Sequence, residues 1–284
     1  MIKEVGEELL EEVVKLAWEI SQNENKNSFP KHESYDDMYN AFLKAIHHNK
    51  DKVLVCYEDG EMVGVLNLFV ETKNRYLQGN GGIFAKGEFN FVATQFIDYL
   101  RKNYEGNEMF FGYPAENVDA ISFLTEINAE LAESSLTMEL KKQNFIQSLV
   151  SNDVVLLEKD YYEEYAVFHD KYNPDIYWTS ERIFENLNIW KIYIVVKNQK
   201  IAGSILIRMV DDKLADIYCV TIDSNYNSCG LELDLLSRSL YDIFKEGKER
   251  VLHFVDEGAD DELQAALKTG FKQIDSYRGY RLKL

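Results

Sequence analysis

Two hairpin-like stretches constrain this chain of 284 residues more than any other feature. The first reads Val53–Tyr57, then Glu58-Asp59-Gly60-Glu61, then Met62–Val70; the second reads Tyr193–Val196, then Lys197-Asn198-Gln199-Lys200, then Ile201–Ile207. In each, two apolar runs flank a short polar turn, the pattern of an antiparallel pair closed tightly. Aligned without a gap, Gly64 falls on Gly203, an offset of 139 residues, and in both copies the glycine follows two apolar residues after the turn. An offset near half the chain length points to internal duplication.

The flanking periodicities repeat as well. The first half reads as helix Glu7–Ile20, polar loop Ser21–Pro30, helix Tyr35–His48, the hairpin, strand Arg75–Ala85, helix Glu88–Lys102, strand Met109–Gly112, helix Asn117–Ile127 and strand Ser134–Lys141. The second reads as helices Tyr161–Lys171 and Ser180–Leu187, the hairpin, strand Leu214–Ile222, helix Gly230–Glu246, strand Val251–Val255, helix Asp260–Lys268 and strand Phe271–Leu282. Thr179 or Ser180 is the expected cap of the second of those helices. The expected domains are residues 1–145 and 150–284, joined near Gln143–Asp153, which holds no Pro or Gly and so suits packed rather than loosely tethered halves.

Composition narrows the class. A formal net charge of −18 argues against nucleic acid, whose binding depends on Lys and Arg contacts to phosphate. No run approaches the roughly 18 apolar residues of a membrane span, and Glu4, Glu7, Glu8, Glu11 and Glu12 are too acidic for a signal peptide. The expectation is a cytoplasmic protein without membrane contact. Cys56, Cys219 and Cys229 make neither an even framework nor a C-x-x-C pair, so reduced thiols are expected.

Within the second half, Leu214–Phe244 runs from an apolar strand through the polar turn Asp223–Ser228 into a helix with Leu231, Leu235, Leu236, Leu240 and Phe244 at helical steps. Strand, tight turn and helix start is the geometry that aims free backbone N–H groups at an anion, aided by the helix dipole. The stretch Ile222-Asp223-Ser224-Asn225-Tyr226-Asn227-Ser228-Cys229-Gly230-Leu231-Glu232-Leu233-Asp234-Leu235-Leu236 resembles the acetyl-CoA-binding motif of the GNAT superfamily of N-acetyltransferases, V-x-P-x-[Y/F]-R-G-x-G-x-G/A followed by two apolar residues. Register, length, Tyr226, Gly230 and the Leu pair agree. Asn227 stands for the Arg, Ser228 for the first Gly and Glu232 for the last Gly or Ala. A carboxylate on the first helical turn would repel a pyrophosphate by about 1 kcal/mol or more at a few ångströms.

The resemblance implies a fold class of two tandem GNAT-like α/β domains, each a mixed, mostly antiparallel sheet flanked by helices. It implies acyl transfer from acetyl-CoA to a small-molecule or peptide amine, with no metal. By that resemblance Val220, Ile222, Asn227, Ser228, Cys229, Gly230 and Leu231 hold the cofactor, Asp216 takes the place of the strand carboxylate that serves as base, and Tyr218 is a candidate relay. The family's acidic Tyr before the Gly-Phe pair, here Gly270-Phe271, falls on Ala266, leaving water or Tyr226 to substitute. In the first half Asn117-Val118-Asp119-Ala120 keeps part of that helix pattern, but Phe84–Glu88 matches nothing of the loop. Gly79, Gly81 and Gly82 fail both nucleotide-loop patterns and read as a bulged strand. The N-terminal half is expected to bind no cofactor.

Other chemistries are absent from the pattern: there is no G-x-S-x-G, no H-E-x-x-H and no Cys/His cluster at metal spacing. His47 and His48, adjacent at a helix end, cannot face one metal; His169 and His253 read as structural. Tyr172, Pro174, Tyr177, Trp178 and Trp190 read as a packing seam or as one wall of an acceptor cleft. The competing class is a non-catalytic ligand-binding or interaction protein on the same scaffold, which Glu232, Ala266 and Asn227 favour. The sequence leaves oligomeric state and acceptor open.

Overall fold

The computed structural model describes Met1–Leu284 except Pro30, Glu33 and Asp175. The first half of the chain forms β1 (Ile2–Glu4), α1 (Leu10–Ser21), α2 (Tyr35–His47), β2 (Asp51–Glu58), β3 (Glu61–Glu71), β4 (Tyr76–Ala85), α3 (Phe89–Asn103), β5 (Glu108–Pro114), α4 (Val118–Glu126) and β6 (Glu130–Lys141). The second half repeats that order as β7 (Val154–Leu156), α5 (Tyr162–Tyr172), α6 (Ser180–Glu185), β8 (Trp190–Lys197), β9 (Lys200–Met209), β10 (Leu214–Ile222), α7 (Leu231–Lys245), β11 (Arg250–Asp256), α8 (Asp260–Thr269) and β12 (Lys272–Lys283). The loop expected over residues 21–30 contains a short 3-10 turn, Glu24–Lys26, and its last residue lies outside the described residues.

The two hairpins are built alike down to the backbone. Asp59 and Gly60 in one, Asn198 and Gln199 in the other, all have positive φ, the requirement of a two-residue type I′ turn whose twist matches the strands. Both carry a bulge at the same place: Cys56 pairs Gly64 but Tyr57 pairs Met62, and Val195 pairs Gly203 but Val196 pairs Ile201. The repeated glycine has a packing reason. A Cβ on Gly64 would run into Val92 and Phe96 of α3, and one on Gly203 would lie 2.9 Å from Ile222 Cδ1 and 3.4 Å from Leu235 Cδ1 of α7.

The compact units differ from the sequence halves, because each half's final strand finds its partner elsewhere. One unit holds Met1–Ser134 with Ser276–Leu284, the other Ser135–Asp275. In the first unit, β1 to β5 follow one another across the sheet and Tyr277–Lys283 of β12 completes it, antiparallel to β5. α3 and α4 cover one face through Val92, Phe96, Leu100 and Phe123; α1 and α2 cover the other through Val13, Val14, Ala17 and Phe42. In the second unit the order is β6, β11, β10, β9, β8, β7, with Ser135–Lys141 of β6 antiparallel to β11. Here α7 and α8 pack Leu235, Leu236, Leu240 and Ala266 on one face, and α5 and α6 pack Tyr165, Phe168 and Ile183 on the other.

The join is anchored by one side chain. Asp234, buried on α7, accepts from the backbone N–H of Ser151 at 3.1 Å and of Asn152 at 2.9 Å, and also from the Asn152 side-chain amide. Bonds to a charged acceptor contribute about 1.5–3 kcal/mol, and removing it strands two backbone donors. Asp234→Ala is therefore expected to lower the unfolding free energy by about 2 kcal/mol in urea titrations, with Asp234→Asn recovering about half. Equal losses for both variants would mean that packing, rather than these bonds, holds the segment.

Candidate active site

One parallel pairing in the second unit ends early and opens a cleft. β10 pairs with β11 only from Leu214↔Arg250 to Ile217↔His253, after which no strand partner meets Cys219–Ile222 on that edge among the described residues. On its other edge, against β9, β10 has a bulge between Ile217 and Cys219. The extra residue switches the strand's faces: before it Ala215 and Ile217 face α7 and α8, after it Val220 and Ile222 do. Val220 and Ile222 thus reach the cleft because of a bulge that the alternation of the sequence does not mark.

The cleft beyond the split has a volume of about 500 Å³. Its walls are Val220 and Ile222 of β10, Asn227 of the following loop, Glu232 on the first turn of α7, and Gly258, Ala259, Asp260, Asp261 and Glu262 at the start of α8. The loop is shaped by Asp223, whose carboxylate accepts from the N–H of Asn225 at 2.9 Å, and the chain then enters α7 through Gly230 at φ +75°. The N–H groups of Asn227, Ser228, Gly230 and Leu231 have no hydrogen-bond partner among the described residues. Cys229 departs from the expected set: its N–H is taken by the Tyr226 carbonyl at 3.2 Å, and its side chain is exposed. Leu231 is a core residue, so it can contribute only its amide.

The electrostatics oppose the amides. Four carboxylates, Glu232, Asp260, Asp261 and Glu262, line the cleft, with no Lys or Arg among the lining residues. Burial pushes the Glu232 carboxyl up, its own backbone N–H pulls it down, and Asp261 and Glu262 raise it further. Ser228 Oγ donates to Asp261 Oδ2 at 2.7 Å, tying the loop to α8. Beneath them His253 of β11, fully buried, brings Nε2 to 3.1 Å from Glu262 Oε1 without hydrogen-bond alignment. Its sequence reading as structural accounts for the burial but not for this contact.

The expected catalytic groups lie elsewhere. Asp216 is buried and held by Arg208, whose Nε lies 3.2 and 3.1 Å from its two carboxylate oxygens; it does not line the cleft. Burial pushes its carboxyl up against the pull of that guanidinium. The two-oxygen clamp fixes the carboxylate by charge-assisted hydrogen bonds and ties β10 to β9, away from the cleft. Tyr218 sits at the bulge, edge-on to Trp190 with ring centroids 5.5 Å apart, within the aromatic cluster on the α5/α6 face. Tyr226 Oη accepts from the Asn198 amide at 3.3 Å, and Ala266 is wholly buried. Among the described residues no group of three His, Cys, Asp or Glu side chains is placed to hold a metal, and no helix is long and apolar enough to cross a membrane.

The equivalent split in the first unit is filled by the chain itself. β4 pairs with β5 from Tyr76↔Glu108 to Gln78↔Phe110, and β4 bulges opposite Leu66–Leu68, where the three glycines lie. Between the diverging strands, Phe29 N–H donates to the Gly112 carbonyl at 3.2 Å and the Phe29 carbonyl accepts from Gly81 N–H at 2.9 Å. Ser28 Oγ donates to the Gly81 carbonyl, and Tyr113 Oη accepts from Ile83 N–H at 2.9 Å. A Cβ on Gly82 would lie 2.8 Å from both Ser28 Cβ and the Tyr113 ring, so the glycine permits this close approach.

No protein-family model matches the chain, and no curated protein matches it. Solved structures do. A GCN5-related N-acetyltransferase from Sphaerobacter thermophilus superposes with a TM-score of 0.73 at 11% identity, covering 100% of this chain and 95% of that one. A tandem GNAT protein from the clavulanic acid biosynthesis pathway, solved without AcCoA, gives 0.63 at 11% identity over 100% of this chain and 98% of that one. An acetyltransferase described as putative, from Pyrococcus horikoshii, gives 0.59 at 15% identity over 100% and 89%. The chain has the GNAT fold in tandem.

Proposed function

We propose that the second unit is an acyltransferase site that takes acetyl-CoA in the cleft between β10 and β11 and passes its acetyl group to an amine. The observation that carries this reading is the early end of the β10–β11 pairing, with four unpaired amides beside it at the start of α7. The open edge of Val220–Ile222 offers backbone groups to the amides of a pantetheine arm. The N–H groups of Asn227, Ser228, Gly230 and Leu231 suit a diphosphate, reinforced by the dipole of a helix fifteen residues long. The acceptor is a small molecule or peptide bearing an ammonium group, to which a carboxylate-lined cleft is attractive.

A second reading follows from the same carboxylates. Glu232, Asp260, Asp261 and Glu262 are a poor surrounding for a dianion, and a non-catalytic protein that binds cationic ligands on this scaffold would need just such a lining. Calorimetric titration with acetyl-CoA separates the two. The acyltransferase reading expects saturable heat at one ligand per chain, because the first unit's split is already occupied by Ser28 and Phe29. No heat at millimolar acetyl-CoA at pH 6 or pH 8 would leave only the second reading; two sites per chain would contradict the filled split.

A further inference from the structure

Resting on the acyltransferase reading, we propose that Glu262 accepts the proton of the amine substrate and that the buried ring of His253 positions it. The unpaired amides lie past the C-terminal end of β10, so an extended ligand anchored there and laid on the Ile222–Cys219 edge runs back toward the vertex of the split. Its far, reactive end meets the last paired position, Ile217↔His253. His253 therefore marks the place where an acyl group would stop.

Of the carboxylates in the cleft, Glu262 is the one that contacts this vertex. Asp261 accepts from Ser228 on the loop, Asp260 is exposed, and Glu232 sits beside the amides at the other end. Asp216, one residue before Ile217, is clamped by Arg208 and points to the opposite face. Glu262 retains 17% side-chain exposure, enough to meet a substrate, while its Oε1 rests 3.1 Å from the imidazole. The imidazole is fully buried against Phe271, with ring centroids 5.7 Å apart, and neither nitrogen has a hydrogen-bond partner among the described residues. A buried imidazole whose nitrogens make no aligned hydrogen bond among the described residues costs free energy that a purely structural residue such as Phe would avoid. A ring that fixes a neighbouring carboxylate gives that burial a purpose.

The step balances without a metal or redox partner. One proton of the R–NH3⁺ group passes to Glu262, and the freed lone pair forms the N–C bond with the thioester carbonyl carbon. The C–S bond breaks with its electrons on the CoA sulfur, the second N–H proton ends on that thiolate, and Glu262 releases its proton to solvent. Amide, CoA thiol and one proton result.

The test uses the full chain with acetyl-CoA and a panel of primary amines, spermidine, tyramine, lysine methyl ester and glucosamine, with thiol release as the signal. Glu262→Gln is expected to lower kcat about 100-fold while acetyl-CoA binding by calorimetry is retained. Glu262→Ala is expected to regain about tenfold on addition of formate, which a structural role would not show. His253→Phe, which keeps the apolar packing, is expected to lower kcat about tenfold with little change in KM, and His253→Gln, which returns a nitrogen near Nε2, to recover most of it. A Glu262→Gln enzyme within twofold of wild type overturns the proposal. So does a chain that binds acetyl-CoA and acylates none of the amines. Failure to bind acetyl-CoA at all instead removes the reading beneath it.

Discussion

Gly270→Ala is expected to destabilise the second unit by about 3 kcal/mol, lowering its melting temperature by about 10 °C. Gly270 ends α8 at φ +100°, and its N–H and that of Phe271 turn back to the carbonyls of Leu267 and Ala266. A side chain at that φ costs about 1–2 kcal/mol by itself. The Cβ would also overlap the backbone carbonyl oxygen of Asn144, and Asn144 cannot easily retreat, because Ile146 N–H is bonded to the Thr269 carbonyl at 3.0 Å. Overpacking against backbone adds about 1–3 kcal/mol. Gly258→Ala is the internal comparison: φ is +95°, but nothing lies within 4 Å of its Cβ. It should lose about 1 kcal/mol, and equal losses at the two positions would show that the Asn144 contact contributes nothing.

Glu232→Ala is expected to tighten acetyl-CoA binding about tenfold at pH 8. Two unit charges a few ångströms apart repel by about 1 kcal/mol even at the dielectric of water, and a diphosphate carries at least two. The wild-type protein should also bind more tightly as pH falls. Burial, with Asp261 and Glu262 behind it, raises the Glu232 carboxyl, so the charge that repels the diphosphate is lost as pH drops through that raised value. The affinity gain between pH 8 and pH 5.5 should therefore shrink in Glu232→Ala, and an identical slope in both proteins would place the diphosphate away from α7. The stability linkage has the same origin. A carboxyl raised by folding holds its proton more tightly folded than unfolded, so its contribution is full below the unfolded value and is lost as pH rises through the folded one.

Much of the fold could be read residue by residue. β10 was expected over Leu214–Ile222 and spans those residues; α2, α3 and α8 agree to within one residue at each end, because their apolar spacing is a local property. β1 and β7 escaped, being strands of three residues each and too short to show alternation. Of the candidate site, the strand, turn and helix start were legible in the sequence, and the side chains that gather around them were not. The turn before Gly230 announces itself by its own residues. Asp216 was placed by counting along a strand, and only the structure shows that Arg208, eight residues earlier and across the β9–β10 ladder, occupies it. Asp260, Asp261 and Glu262 look like ordinary acidic residues at a helix start, favoured by the dipole, and nothing local links them to Glu232 or His253.

The sequence alone determined that the chain is a duplicated α/β array, that each half carries a glycine two apolar residues after its hairpin turn, and that one half runs from a strand through a polar turn into a helix at Gly230. Tertiary structure alone decided which split stays open and which is filled by Ser28 and Phe29, and where each half's last strand goes. The physical reason is the same in both cases. Alternating apolar residues such as Leu136, Met138 and Leu140 of β6 or Tyr280 and Leu282 of β12 specify a strand with one packed face but name no partner, and a backbone N–H bonds equally well to any carbonyl that distant packing brings within reach.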